Sequence, residues 1–193
     1  MTTRPVSRME PRRVRQVPFA QTVFWTKIAR MDRSLYDEDA HAWAQQQADA
    51  LRRLARTGRD LPNELDLENV AEEIEDVGIA QRSSAESFIR QIFVHLIKLF
   101  VAPQNAAASH WRGEIVTFHN ELLGRLTPSM HQRIDLETLW HRAMKEASAK
   151  LDATCGPVAE VTAHLAACPL TIEDLAGEDF DIDRALLRLQ GMS

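Results

Sequence analysis

The sequence predicts an all-α protein: a helical bundle of four to five main helices around a long central helix at about 66–101, with short helices after it. Three observations lead there. Ala, Leu, Glu, Gln and Arg dominate, Gly numbers only 7, and β-branched runs are few, a composition that favours helix over strand. Apolar residues recur at spacings of three, four and seven from Val70 to Leu99. The segment 88–101 is apolar almost all the way round, and such a helix has to be wrapped by others.

The first patterned helix is expected at 37–57. Asp37 is placed to cap it, Glu38 and Asp39 suit its first turn, and Gly58 suits its C-terminal stop. Its apolar face reads Ala40, Trp43, Ala44, Gln47, Leu51 and Leu54, and Pro62 marks the connection that follows. The central helix opens near Asp66, and its stripe reads Val70, Ile74, Val77, Gln81, Phe88, Ile92, His95 and Leu99. Gly78 and Ser83-Ser84 weaken its middle, so the sequence leaves open whether it is continuous, kinked or broken there. Pro103 ends it.

A third helix is expected at 109–126, with Trp111, Ile115, Phe118 and Leu122 inward. Thr127-Pro128 reads as a cap followed by Pro at the first helical position, opening a fourth helix that runs to about 153. A short helix follows at 158–167. Thr171 with Asp174 resembles a capping box in front of another short helix at 172–176. Residues 183–190 form a terminal helix that docks through Leu186, Leu187 and Leu189.

Charge is unevenly spread. Residues 1–33 carry eight arginines and lysines against Glu10 and Asp32, a net +6, so the remaining 160 residues hold −11 of the overall −5. The basic segment also holds Pro5, Pro11 and Pro18 and is expected to be a disordered or loosely attached tail. Arg12-Arg13 is not followed by an apolar run long enough for an export signal. Met31 precedes the first well-patterned segment and is an alternative start. The tail is the one place where nucleic acid could be held, while the acidic body gives no reason to expect it as a partner. Cys155 and Cys168 lie 13 residues apart with neither CxxC nor zinc spacing, which fits a reducing compartment. No stretch approaches 18 uninterrupted apolar residues, so no membrane-spanning helix is expected and the chain is placed in the cytoplasm.

The residues suggest a family. Leu35-Tyr36-Asp37-Glu38-Asp39 with Ala42-Trp43-Ala44 and Gln47 form one block. Leu65-Asp66-Leu67-Glu68-Asn69 running into Ala71-Glu72-Glu73-Ile74-Glu75-Asp76-Val77-Gly78 forms the second, and His95-Leu96-Ile97-Lys98 leading to Pro103 the third. Trp111-Arg112 with Ile115, then Cys168-Pro169-Leu170-Thr171-Ile172-Glu173-Asp174-Leu175 and Glu178-Asp179-Phe180, complete the set. In these stretches the chain resembles DUF29, a bacterial family of uncharacterised proteins, with Leu99 and Leu170 standing where the family pattern expects Trp. The resemblance implies an all-helical domain over 34–180 and leaves 181–193 as a helical extension. It supplies no catalytic residues.

Three positions carry what chemistry the sequence allows. Glu72, Glu73, Glu75 and Asp76 form a carboxylate cluster. With Val70 at the centre of the buried face and about 100° per residue, only Glu73 flanks the apolar stripe. Bridged carboxylates on facing helices hold metal pairs in other bundles, which makes Glu73 a candidate metal ligand or acid–base group. The simpler reading is a solvated acidic face at a helix N-terminus. His95, inside the stripe, is a candidate ligand or base, or else a buried histidine bonded to a neighbouring helix. Its partners would come from other helices, such as His41, His119 or His141. Glu73 and His95 are 22 residues apart, about 33 Å on a continuous helix, so they share no site unless that helix folds back. Cys168 precedes Pro169 at a helix entry, where a thiolate has a lowered pKa. The simpler reading is a small buried residue in a tight turn. There is no glycine-rich phosphate loop, no GxSxG and no HExxH, so no cofactor is predicted. Trp43, Trp111 and Trp140 fall on helical apolar faces and read as core.

No catalytic set is complete and the body is acidic and helical. The expected function is therefore a protein-interaction or regulatory module, meeting a protein partner or a second copy. A metal-binding protein or enzyme using Glu73, His95 and Cys168 is the alternative.

Overall fold

The computed structural model describes residues 35–57, 62, 64–155, 165 and 167–191. Among these residues all regular structure is helical. The helices are α1 (Ala40–Thr57), α2 (Leu67–Val101), α3 (Ala108–Leu123), α4 (Leu136–Cys155), α5 (Ile172–Ala176) and α6 (Ile182–Gln190), with a 3-10 turn at Pro128–Met130. No helix among the described residues is long and apolar enough to cross a membrane. The short helix expected at 158–167 and the tail at 1–33 lie outside the described residues.

α2 is the spine. It touches α1, α3, α4 and α6, while α3 also touches α5. It runs unbroken through Gly78, Ser83 and Ser84 for 35 residues, about 52 Å. Asp66 caps its start by accepting the Asn69 N–H at 3.2 Å. Pro103 follows its C-terminal Ala102, whose N–H still reaches the Lys98 carbonyl.

The C-terminal half of α2 holds the core, because it is apolar on every side and has helices on every side. Ile89, Ile92, Phe93, Leu96 and Ile97 are fully buried against Ile115 and Leu122 of α3, Trp140 and Ala147 of α4, Leu175 of α5 and Leu189 of α6. Phe93 meets Trp140 edge to face at 5.3 Å, and the Trp140 indole N–H donates to the Leu165 carbonyl at 2.9 Å, so the aromatic polar tip is satisfied inside the core.

Several element boundaries differ from the sequence expectation because tertiary partners select the caps. Asp39, not Asp37, caps α1. Its buried carboxylate accepts the Ala42 N–H at 2.9 Å together with the Ser129 N–H at 2.8 Å and hydroxyl at 2.7 Å. One side chain thus ends a helix and ties it to the 3-10 turn. Burial pushes the Asp39 pKa up, but the Ala42, Ser129 and Thr127 hydrogen bonds outweigh it and hold it below the usual carboxylate value. Thr127-Pro128 opens the 3-10 turn and not the fourth helix. α4 starts after Asp135, which accepts from the Thr138 N–H at 3.0 Å and its hydroxyl at 2.7 Å.

The capping box at Thr171 and Asp174 is present in both directions. α6 docks through Ala185 and Leu189, one turn apart, with Leu186 partly buried; Leu187 points to solvent.

Candidate interaction surface on the first two helices

The N-terminal half of α2 turns a different face inward than its largest apolar residues suggest. Leu67, Ala71, Gly78 and Ala85 are buried, while Val70 is 40% and Val77 62% exposed. On α1 the buried positions are His41, Ala44 and Ala48. The two helices meet through small residues and approach closely. A Cβ added at Gly78 would lie 3.2 Å from the Ala44 Cβ and 3.3 Å from the His41 Nδ1. Since a carbonyl only accepts, His41 Nδ1–H donates to the Gly78 carbonyl at 2.9 Å, and the Gln45 amide reaches the other ring nitrogen at 3.4 Å.

An ion pair marks one edge of this helix pair. Arg52 of α1 meets Glu75 of α2 at 2.5 Å. The Glu75 carboxylate hydrogen bond raises the Arg52 pKa against the smaller effect of burial. Taking Gly78 as the inward direction and about 100° per residue, Glu75 falls about 60° to one side, and Val70, Ile74 and Val77 fall about 40–100° to the other. The same construction on α1, with Ala44 and Ala48 inward, sets Leu51 and Leu54 opposite Arg52. The apolar stripes of both helices therefore share the edge away from the ion pair. Leu51 and Ile74 are half-buried there, and Leu54 is exposed. The result is an apolar strip that no described element covers.

This geometry revises the reading of the acidic cluster. Glu73 is exposed and lies beyond the valine row; the half-buried carboxylate is Glu75. The expectation that Glu73 flanks the buried face took Val70 as its centre, whereas close packing puts Ala71 and Gly78 there. The seven-residue repeat of small side chains at Ala71, Gly78 and Ala85 was the sequence signal for that contact.

His95 and Cys168 have structural partners. His95 is 5% exposed, and its Nδ1–H donates to the Gln91 carbonyl at 2.8 Å. Its Nε2 faces the Glu114 Oε2 at 2.7 Å, a contact that needs one proton shared between them, and His110 approaches the same oxygen at 3.4 Å. Burial pushes the imidazole pKa down, opposed by the Gln91 carbonyl and Glu114 and reinforced by Lys98 and Lys150. Both ring nitrogens are engaged, and the partner is Glu114 of α3 and not another histidine. Glu114 was missed because nothing in its own sequence surroundings marks it.

The Cys168 N–H donates to both Glu137 carboxylate oxygens at 3.1 Å, and its thiol donates to the Leu170 carbonyl at 3.3 Å. Burial, with the negative charges of Glu137 and Asp174, pushes the thiol up to about 11. A lowered pKa at this helix entry is thereby reversed, because desolvation outweighs the helix end. His95 and Cys168 contact different neighbours, and Glu73 lies 22 residues, about 33 Å, from His95 along the unbroken α2, so the three are not brought together. Glu38 and His41 stand in the Glu-x-x-His spacing used by bundle metal sites, but Glu38 is exposed and His41 is buried against Gly78. Among the described residues no group of three or more His, Cys, Asp or Glu is placed to hold a metal ion.

Two shallow clefts flank Phe180, which stacks on His119 at 4.9 Å. One, of about 190 Å³, is lined by Asp174, Arg184 and Arg188; the other, of about 360 Å³, by Arg112, His119 and Asp183. Within them Arg188 pairs with Asp174 and Arg112 with Asp183, each at 2.5 Å.

Residues 35–181 match the family model described as "Domain of unknown function DUF29". No curated protein matches the chain. Among solved structures the chain is similar to an alpha-helical protein of unknown function from Rhodospirillum rubrum, with 44% identity and a TM-score of 0.73. That similarity covers 80% of this chain and 96% of the other. The model match spans most of the chain, and on that ground the chain belongs to the DUF29 family.

Proposed function

We propose that the domain is a protein-interaction module that receives a helix from a partner along the apolar strip of α1 and α2. The observation that carries this reading is the strip itself. Val70, Ile74 and Val77 recur at four and three residues, the spacing of a helix-docking seam, yet Val70 and Val77 stay exposed. A helix laid there would cover them as the C-terminal half of α2 is covered by its neighbours. A bacterial, cytoplasmic setting accords with the paucity of cysteine and with the bacterial source of the similar structure. The fully engaged nitrogens of His95 and the protonated thiol of Cys168 favour binding over catalysis.

Site-specific photocrosslinking tests the reading. A photoreactive residue at position 77 should give a discrete adduct that Leu54→Asp abolishes, while one at position 179, in the cleft beside Phe180, should not. Equal crosslinking from both positions, or none from position 77, overturns it.

A further inference from the structure

We infer that the helix received by this strip is cationic, with apolar residues on one face and Lys or Arg beside them. The inference rests on the docking reading above and adds the chemistry of the partner. On the α2 surface Glu73 adjoins both Val70 and Val77, three residues from one and four from the other, and Asp76 lies in the next row. Glu75, in the same acidic run, is matched by Arg52, whereas Glu72, Glu73 and Asp76 make no ion pair with any described residue and are exposed. Arg52 lies on the opposite edge of the helix pair, so the strip has a carboxylate border and no cationic one on α2.

The body around it, residues 34–193, carries a net charge of −11. A second copy docked on the strip would bring the same carboxylates face to face, which is unfavourable. A basic amphipathic helix would cover the valines and leucines and set its ammonium or guanidinium groups against Glu73 at the rim, with Asp76 one row further out. There they speed encounter and select against acidic partners.

The test uses the full chain and three fluorescently labelled synthetic helices. They share leucines at i, i+4 and i+7 and carry Lys, Gln or Glu at every polar position. Anisotropy should show the Lys helix binding about tenfold or more tightly than the Glu helix, with affinity falling as salt rises. Val77→Asp, and separately the pair Glu73→Lys and Asp76→Lys, should each weaken the Lys helix about tenfold. The control pair Glu178→Lys and Asp179→Lys should leave it unchanged. All substituted positions are exposed, so circular dichroism should stay that of the parent.

If the Gln helix binds as well as the Lys helix and both need Val77, the charge inference falls and the docking reading stands. If Val77→Asp changes nothing, or none of the helices binds, both fall. A dimer in sedimentation velocity that Val77→Asp dissociates makes the occupant a second copy and overturns the cationic partner.

Discussion

From Leu67 to Ser84, α2 buries only Leu67, Ala71 and Gly78, whereas from Ala85 to Leu99 it buries Ala85, Ile89, Leu99 and every residue from Ile92 to Ile97. The same helix thus makes two kinds of contact. In the first half the neighbour is one helix, α1, held close by residues with little or no side chain. Close approach of this kind gains backbone contact and the His41–Gly78 hydrogen bond, but it removes little apolar area from water. In the second half three helices, α3, α4 and α6, pack on α2 and large side chains fill the space between them. Each such side chain contributes on the order of 1.5–3 kcal/mol by burial. Stability is concentrated at one end and accessible apolar surface at the other.

The contrast can be broken most severely from the core side. Phe93→Ala empties a fully buried site beside Trp140 and should lower unfolding free energy by about 3–5 kcal/mol in urea titration. The matching test in the first half is Gly78→Leu. Its added atoms meet the Ala44 Cβ and His41, neither of which can swing away, so a loss of about 1–3 kcal/mol is expected although leucine is the better helix former. A Gly78→Leu protein as stable as the parent would show that α1 and α2 are not closely apposed.

Asp39→Asn comes next, at about 1–2 kcal/mol, because Asp39 is both the cap of α1 and its tie to Ser129. This effect depends on pH with a defined sign. The free carboxyl titrates near 3.8 and the folded one lower, so the unfolded state binds more protons between the two values. The contribution is complete above pH of about 4 and is lost as pH falls through the folded value. The parent's urea midpoint should therefore fall more steeply than that of Asp39→Asn in acid, and parallel curves would contradict the role. The smallest effect belongs to Val77→Ala, within about 0.5 kcal/mol, since the side chain is largely exposed. A large loss there would mean that the strip is already covered in the free protein.

Much of the architecture was legible in the residues because it follows from local rules. Pro103 stops α2, Asp66 starts it, and the Thr171–Asp174 box forms from four consecutive residues. The segment 88–101 announces its burial by being apolar on all sides. The candidate surface was legible only in part. The stripe Val70–Ile74–Val77 was visible, and so was its helical period, but period gives the existence of an apolar face and not what covers it. Size misled as well. Valine outranks glycine and alanine in hydrophobicity, yet the helix–helix contact selected the residues that let two backbones approach. Glu114 and Ser129 were invisible for another reason. Their partners, His95 and Asp39, are 19 and 90 residues away, and nothing local couples them.

By itself, then, the sequence determined the helical class, the start and stop of the spine though not its continuity through Gly78–Ser84, most other stops and the acidic balance of the body, because propensity, periodicity and charge act within a few turns of the chain. Tertiary structure alone decided which face of α2 turns inward at each end. It also decided that Asp39 rather than Asp37 caps α1, that Glu75 and not Glu73 is the half-buried carboxylate, and that the Cys168 thiol is held protonated. Each of these depends on the distance and burial of groups remote in sequence, and those quantities exist only once the helices have packed.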